Sequence, residues 1–260
     1  MKKAEFILAG CSVSSGVPAI GNDWGKCDPN EPKNRRDRPC AIVRTDHTTL
    51  VIDTGPDFRS QMNRHNIANL DSVIYTHPHS DHIGGIDELR IIKFRQGELV
   101  NIYGNDQTLN ALKSRYDYMF EDISGYKKTI VANDLGLNAP QIIGDIEFTA
   151  FEQDHGDEMA SLGFRFGDMG YSVDMRYIDE QGLSILRGID TWIVDGAGHH
   201  VDDHPTHAPL SRVVEMNEVV QARQVYVIGL SKFMDYKTIN DELPDGFECG
   251  YDDLTVKITY

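Results

Sequence analysis

The run Ser72-Val73-Ile74-Tyr75-Thr76-His77-Pro78-His79-Ser80-Asp81-His82-Ile83-Gly84-Gly85 sets an apolar β-type segment directly before a dense group of candidate metal donors. On an extended backbone, side chains two apart point to the same side, so His77 and His79 can converge on one ion. Where the chain then turns, the adjacent Asp81 and His82 can diverge toward a second. Neutral imidazoles with a carboxylate suit zinc, and manganese or iron as well, so the donors select no single metal. A solvated histidine cluster is the plainer account, but donors so closely set behind a strand favour ligation.

Outward from this run the chain carries short apolar segments of two kinds. Strands are expected at residues 5–8, 41–44, 49–53, 72–75, 101–103, 146–150, 162–166, 171–173, 191–194 and 224–228. Apolar residues at three and four spacing predict helices at 57–64, 87–95, 106–116, 179–186 and 210–222. Early strands come in pairs and later ones are interspersed with helices, which argues for packed sheets flanked by helices. No linker, repeat or low-complexity tract divides the chain, so residues 1–260 read as one domain. The polar stretch 21–39 lacks periodicity and is expected to be an ordered excursion near a site.

Composition narrows the function. The 25 Lys and Arg stand against 41 Asp and Glu, a formal charge of −16 that repels polyanions and counts against a generic nucleic-acid binder. No apolar run approaches the ~20 residues needed to span a bilayer, so a soluble cytoplasmic protein is expected. Cys11, Cys27, Cys40 and Cys249 form no C-x-x-C pair and suit reduced thiols.

The histidine motif followed by Gly84-Gly85 resembles the metallo-β-lactamase superfamily, whose H-x-H-x-D-H follows a strand. Gly10-Cys11-Ser12, Gly16-Val17-Pro18, Leu50-Val51-Ile52-Asp53-Thr54-Gly55 and Leu243-Pro244-Asp245-Gly246-Phe247 extend the likeness. They are similar to the branch containing the phosphoribosyl cyclic phosphodiesterase of the carbon-phosphorus lyase pathway, with the tRNA 3′-end processing endonuclease a more distant relative. The resemblance implies an α/β fold, a four-layer αβ/βα sandwich with metals at one edge. It also implies further ligands: His155 as the third ligand of a first site shared with His77 and His79, and Asp174 as a carboxylate bridging both ions. Asp53 matches an acid that orients a ligand histidine through its other ring nitrogen. Asp57 could equally cap the helix that starts there, and is left out of the ligand set.

Two departures stand out. The family's last histidine, after segment 224–228, is missing, and the chain continues Gly229-Leu230-Ser231-Lys232. A second ion would then rest on Asp81, His82, Asp174 and water, or on Ser231, with Lys232 a candidate to approach the vacancy. The three cysteines of a structural zinc are replaced by Asn22, Trp24 and Cys27, and no zinc is expected there.

Residues 199–207 hold four more histidines. The likeness places His207 beside a bound phosphate, where it protonates a leaving oxygen, a task suited to a group with a pKa near ~6.5; His204 is the second candidate. His199 and His200 are expected in a surface loop, and His47 and His65 in solvent. The implied cofactors are one or two divalent ions, zinc or manganese. In the implied reaction a metal-bound hydroxide attacks phosphorus, Asp81 and Asp174 hold and orient it, and His207 delivers the proton. The expected substrate is a small cyclic or nucleotide phosphodiester, with no membrane or extended nucleic acid as partner; a homodimer is compatible. One rival is RNA 3′-end processing, opposed by the acidic charge; the basic stretch 33–38 would hold a small phosphate or make ion pairs. Another is a non-catalytic metal-binding protein, favoured by Gly229.

Overall fold

The computed structural model describes residues 3–123 and 125–260. Its strands are β1 (Lys3–Gly10), β2 (Cys40–Arg44), β3 (Thr49–Ile52), β4 (Ser72–Ile74), β5 (Val100–Gly104), β6 (Ile130–Asp134), β7 (Pro140–Ile143), β8 (Ile146–Asp154), β9 (Ala160–Phe166), β10 (Met169–Ser172), β11 (Thr191–Asp195), β12 (Gln224–Ile228), β13 (Phe247–Cys249) and β14 (Leu254–Thr259). They make two sheets, ordered β14-β1-β2-β3-β4-β5-β6 and β13-β12-β11-β10-β9-β8-β7. Each sheet is antiparallel in one half and parallel in the other. β14 to β3 run antiparallel and β3 to β6 parallel; β7 to β10 run antiparallel and β10 to β13 parallel.

The two-residue alternation of β1 shows how the layers form. Phe6 and Leu8 join Phe148, Phe164, Phe166 and Tyr171 of the other sheet in the central core. Ile7 and Ala9 face the opposite way, under Phe58, Ile83, Leu89, Leu109 and Met119. Those residues belong to α1 (Phe58–Arg64), α2 (Ser80–Ile83), α3 (Leu89–Gln96), α4 (Asp106–Arg115) and α5 (Asp117–Phe120). On the far side, α6 (Glu180–Leu186) and α7 (Leu210–Val220) cover Trp192, Val194 and Val225, and α8 (Tyr236–Glu242) covers Val227 and Cys249. The result is the four-layer αβ/βα sandwich expected.

The excursion at 21–39 is ordered, and the basic residues of its 33–38 stretch are engaged internally. Arg36, 1% exposed, donates to the carbonyl oxygens of Ser231 and Met234 and to Asn34 Oδ1, with Cys27 Sγ alongside. Arg35 lies over the Trp24 ring, and Arg38 pairs with Asp57 at 2.7 Å. Of the roles open to Asp57, capping is not the one taken: it precedes α1, but its carboxylate grips Arg38. Among the described residues, no helix is long and apolar enough to cross a membrane.

Candidate metal centre

The site lies where β3, β4, β8, β10 and β11 end. Asp53, just after β3, and Asp174, just beyond β10, both adopt left-handed backbone, φ 62° and 45°, a conformation Asp tolerates better than most residues. Their carboxylates hold His82 from two sides. Asp53 Oδ2 is 2.6 Å from His82 Nδ1, and Asp174 Oδ2 is 3.2 Å from Nε2. Asp53 is itself fixed by the backbone N–H and hydroxyl of Thr76, each at 2.8 Å.

Three other imidazoles meet beside this pair. His79 Nδ1 lies 3.0 Å from His77 Nε2 and 3.2 Å from His155 Nε2. Asp174 Oδ2 stands 3.6 Å from the first of those Nε2 atoms and 3.8 Å from the second. The outer nitrogens already have partners: His77 Nδ1 is 3.0 Å from Thr76 Oγ1, and His155 Nδ1 donates to the Thr206 carbonyl at 2.9 Å. Those contacts assign the outer protons and leave lone pairs converging on a common point. A tetrahedral ion with bonds of about 2.05 Å spaces its donors about 3.3 Å apart. Four donors at that spacing, with scarcely a proton to share among them, fit a cation. Asp81 Oδ2, 3.6 Å from His82 Nε2, makes a second group with His82 and Asp174.

The electrostatics agree for the first group. Burial, helped by neighbouring His82, drives the His77 pKa well down, and burial also lowers His79, so both are held in the neutral form that can ligate. Burial works the same way on His82, but Asp174 and Asp53 outweigh it and raise its pKa strongly. Burial opposes the charge on Asp174, and His82 reverses that effect and holds the carboxylate well below its usual range.

His207 stands next to this cluster. Its Nδ1 is 2.6 Å from Asp195 Oδ2, the last residue of β11. Burial alone would lower its pKa, but Asp195 overrides burial and takes it up to about 9. Asp195 is fully buried and also accepts from the N–H groups of Met175 and Ala197. Together the cluster and His207 wall a cavity of about 220 Å³, whose lip is Val13 and Ser14.

The residues expected from the sequence, His77, His79, Asp81, His82, His155, Asp174 and His207, are thus gathered in one place. Others are not. His204 does not reach the cavity; its Nδ1 accepts from the N–H of Thr206 and His207 and shapes the loop. Ser231 Oγ accepts from Phe233 N, and Lys232 pairs with Asp23, so neither approaches the second group. His65 is not simply solvated, since its Nε2 lies 2.8 Å from Asp253. Asp195 and Thr76 escaped the sequence reading. The readable sign for Asp195 was its place: it closes an apolar strand as Asp53 does.

Comparison with known proteins agrees with the geometry. The model of the β-lactamase superfamily domain matches residues 48–229. The chain belongs to the metallo-β-lactamase superfamily. A metallo-β-lactamase fold implies divalent-metal binding, and here the converging histidines and aspartates supply the donors. A solved structure described as a new diphosphatase from the PhnP family superposes with a TM-score of 0.87 at 30% identity, covering 98% of this chain and 97% of that one. An octanoyltransferase of Porphyromonas gingivalis is 28% identical over 95% of this chain and 50% of its own length. An exodeoxyribonuclease, YycJ, of Bacillus anthracis is 24% identical over 62% of this chain and 58% of its own. The chain thus spans only about half the length of those two curated relatives.

Proposed function

We propose that residues 1–260 form one catalytic unit, a metal-dependent phosphodiesterase of the PhnP-like branch that cleaves a small phosphodiester or diphosphate. One observation carries this reading. A single small cavity has metal-type donors on one wall and His207, pinned by Asp195, on the other. His77, His79, His155 and Asp174 would hold one divalent ion, and Asp81, His82 and Asp174 a second, more loosely. The imidazole-rich first set suits zinc, and the second, richer in carboxylate, suits manganese. Ions held there would polarise a phosphoryl oxygen and lower the pKa of water.

The chain's own residues do the rest. Asp53 and Thr76 fix His82, and the Thr206 carbonyl fixes His155. His207 faces the cavity with a proton to give, and the departing oxygen of a phosphodiester needs one. At about 220 Å³ the cavity is smaller than the ~300 Å³ or more of a drug-sized pocket, so it admits a phosphoryl group and leaves the rest of the substrate outside. The 30% identical diphosphatase supports phosphorus chemistry on a small molecule.

The test is turnover of bis(p-nitrophenyl) phosphate, a cyclic nucleotide, a nucleoside diphosphate and an oligodeoxynucleotide by protein reconstituted with zinc or manganese. We expect hydrolysis of small substrates and its loss in the His77→Ala, His79→Ala double variant. Turnover confined to DNA ends would replace this reading with an exonuclease. A metallated sample no faster than the double variant on all four would end the enzyme reading.

A further inference from the structure

Away from the cavity, the loop after β11 and the end of α8 bring together His199, His200 and Glu242. One donor atom from each lies within 4.8 Å of the others. His200 Nε2 is 3.0 Å from Glu242 Oε2, and the two histidine rings stack with centroids 3.8 Å apart. His199 is held in left-handed backbone at φ 47°. Its Nδ1 is buried and has no hydrogen-bond partner, a condition rare enough in folded proteins to require an explanation.

We propose that His199, His200 and Glu242 form a second, peripheral metal site for a zinc-class divalent ion. Two imidazoles and one carboxylate are donors for zinc, copper or nickel and poor ones for magnesium or calcium. Three protein ligands leave a position for water or an incoming group. The unpartnered Nδ1 shows that no hydrogen bond from that nitrogen has fixed this ring to another task. Burial, then His200, and more weakly Lys26 keep His199 in the neutral form that can ligate. The ion would tie the loop bearing His204 and His207 to α8, two segments otherwise distant in sequence.

The experiment is equilibrium dialysis of the full chain against zinc, with metal counted per chain, on wild type, His200→Gln, Glu242→Gln and the His77→Ala, His79→Ala variant. His200 and Glu242 side chains are 65% and 40% exposed, so their substitutions leave the core intact. The proposal expects each single variant to lose about one weakly held zinc while keeping the zinc of the central cluster. It also expects the double variant to keep the peripheral ion, and added zinc to raise the thermal midpoint of wild type more than that of His200→Gln. Equal zinc content in wild type, His200→Gln and Glu242→Gln would overturn it. Loss of zinc from the double variant alone would overturn it too, while leaving the central cluster's role untouched.

Discussion

His207 and His82 are held alike, each with one ring nitrogen 2.6 Å from a buried carboxylate at a strand end. The shared device serves different ends, because His82 is sealed between two acids whereas the His207 side chain is 20% exposed and borders the cavity. A proton donor matters in proportion to the basicity of the leaving group. His207→Ala should therefore slow hydrolysis of an alkyl phosphodiester by about 10²–10⁴-fold, yet scarcely affect release of p-nitrophenolate, which departs without a proton. The ratio of the two rates in wild type and variant is the measurement; an equal loss on both would reduce His207 to a structural role. Asp195→Asn should reproduce the pattern more weakly, since it leaves the imidazole present and removes the charge that orients it.

At the scale of elements, the turn after β12 accounts for the missing ligand. Gly229 sits at φ 74°, and a Cβ there would stand 2.7 Å from Asp195 Oδ1 and 3.0 Å from the Ala197 side chain. The space a ligand side chain at 229 would use is taken by the acid that holds His207. Gly229→Ala should cost about 1–3 kcal/mol in chemical denaturation and reduce activity with Asp195 displaced. The opposite end of that loop gives a pH test. Asp235 caps α8 through Thr238 N and also accepts from Asp28 N and Asn34 Nδ2, so it fastens the 21–39 excursion to the helix. Slight burial works against its charge, but the Asp28 and Thr238 N–H groups prevail and lower its pKa to about 2. The folded state thus favours the ionised form, and its contribution is present above about pH 4 and disappears as pH falls toward 2. Asp235→Ala should destabilise by about 0.5–2 kcal/mol at pH 6, with the gap from wild type closing on acidification in urea melts. Legibility followed the same physics. Strands such as β3 and β11 were readable because both faces are largely buried and most of their residues are β-branched. β6 ends in Asn133-Asp134, β7 opens on a proline, β13 is only three residues long at a sheet edge, and β14 lies at the other sheet's edge, where exposed residues break the pattern. Candidate donors in the 77–82 run announced themselves by density, whereas Asp195 is one acid among 41 acidic residues, marked in the sequence only by its place at a strand end and singled out by its contact with His207.

Across the whole molecule, two half-parallel sheets pack face to face and deliver the ends of five strands to one edge, so the cluster depends on the central Phe6, Phe148, Phe164, Phe166 and Tyr171 seam as much as on its own residues. The net charge of −16 acts on anything anionic that approaches the molecule. A protein that grips phosphate backbones binds more weakly as salt rises, because counterions are released on binding. For the anionic substrate proposed above the sign is reversed: it would enter a field of its own sign, and salt would screen the repulsion. With metal saturating throughout, KM for a small anionic phosphodiester should fall by a factor of about two or more between 10 mM and 150 mM sodium chloride. kcat, set inside the cavity, should change little. A KM that climbs steeply with salt, as phosphate-backbone contacts require, would show that a basic track not visible in this surface governs binding and that the natural substrate is a nucleic acid.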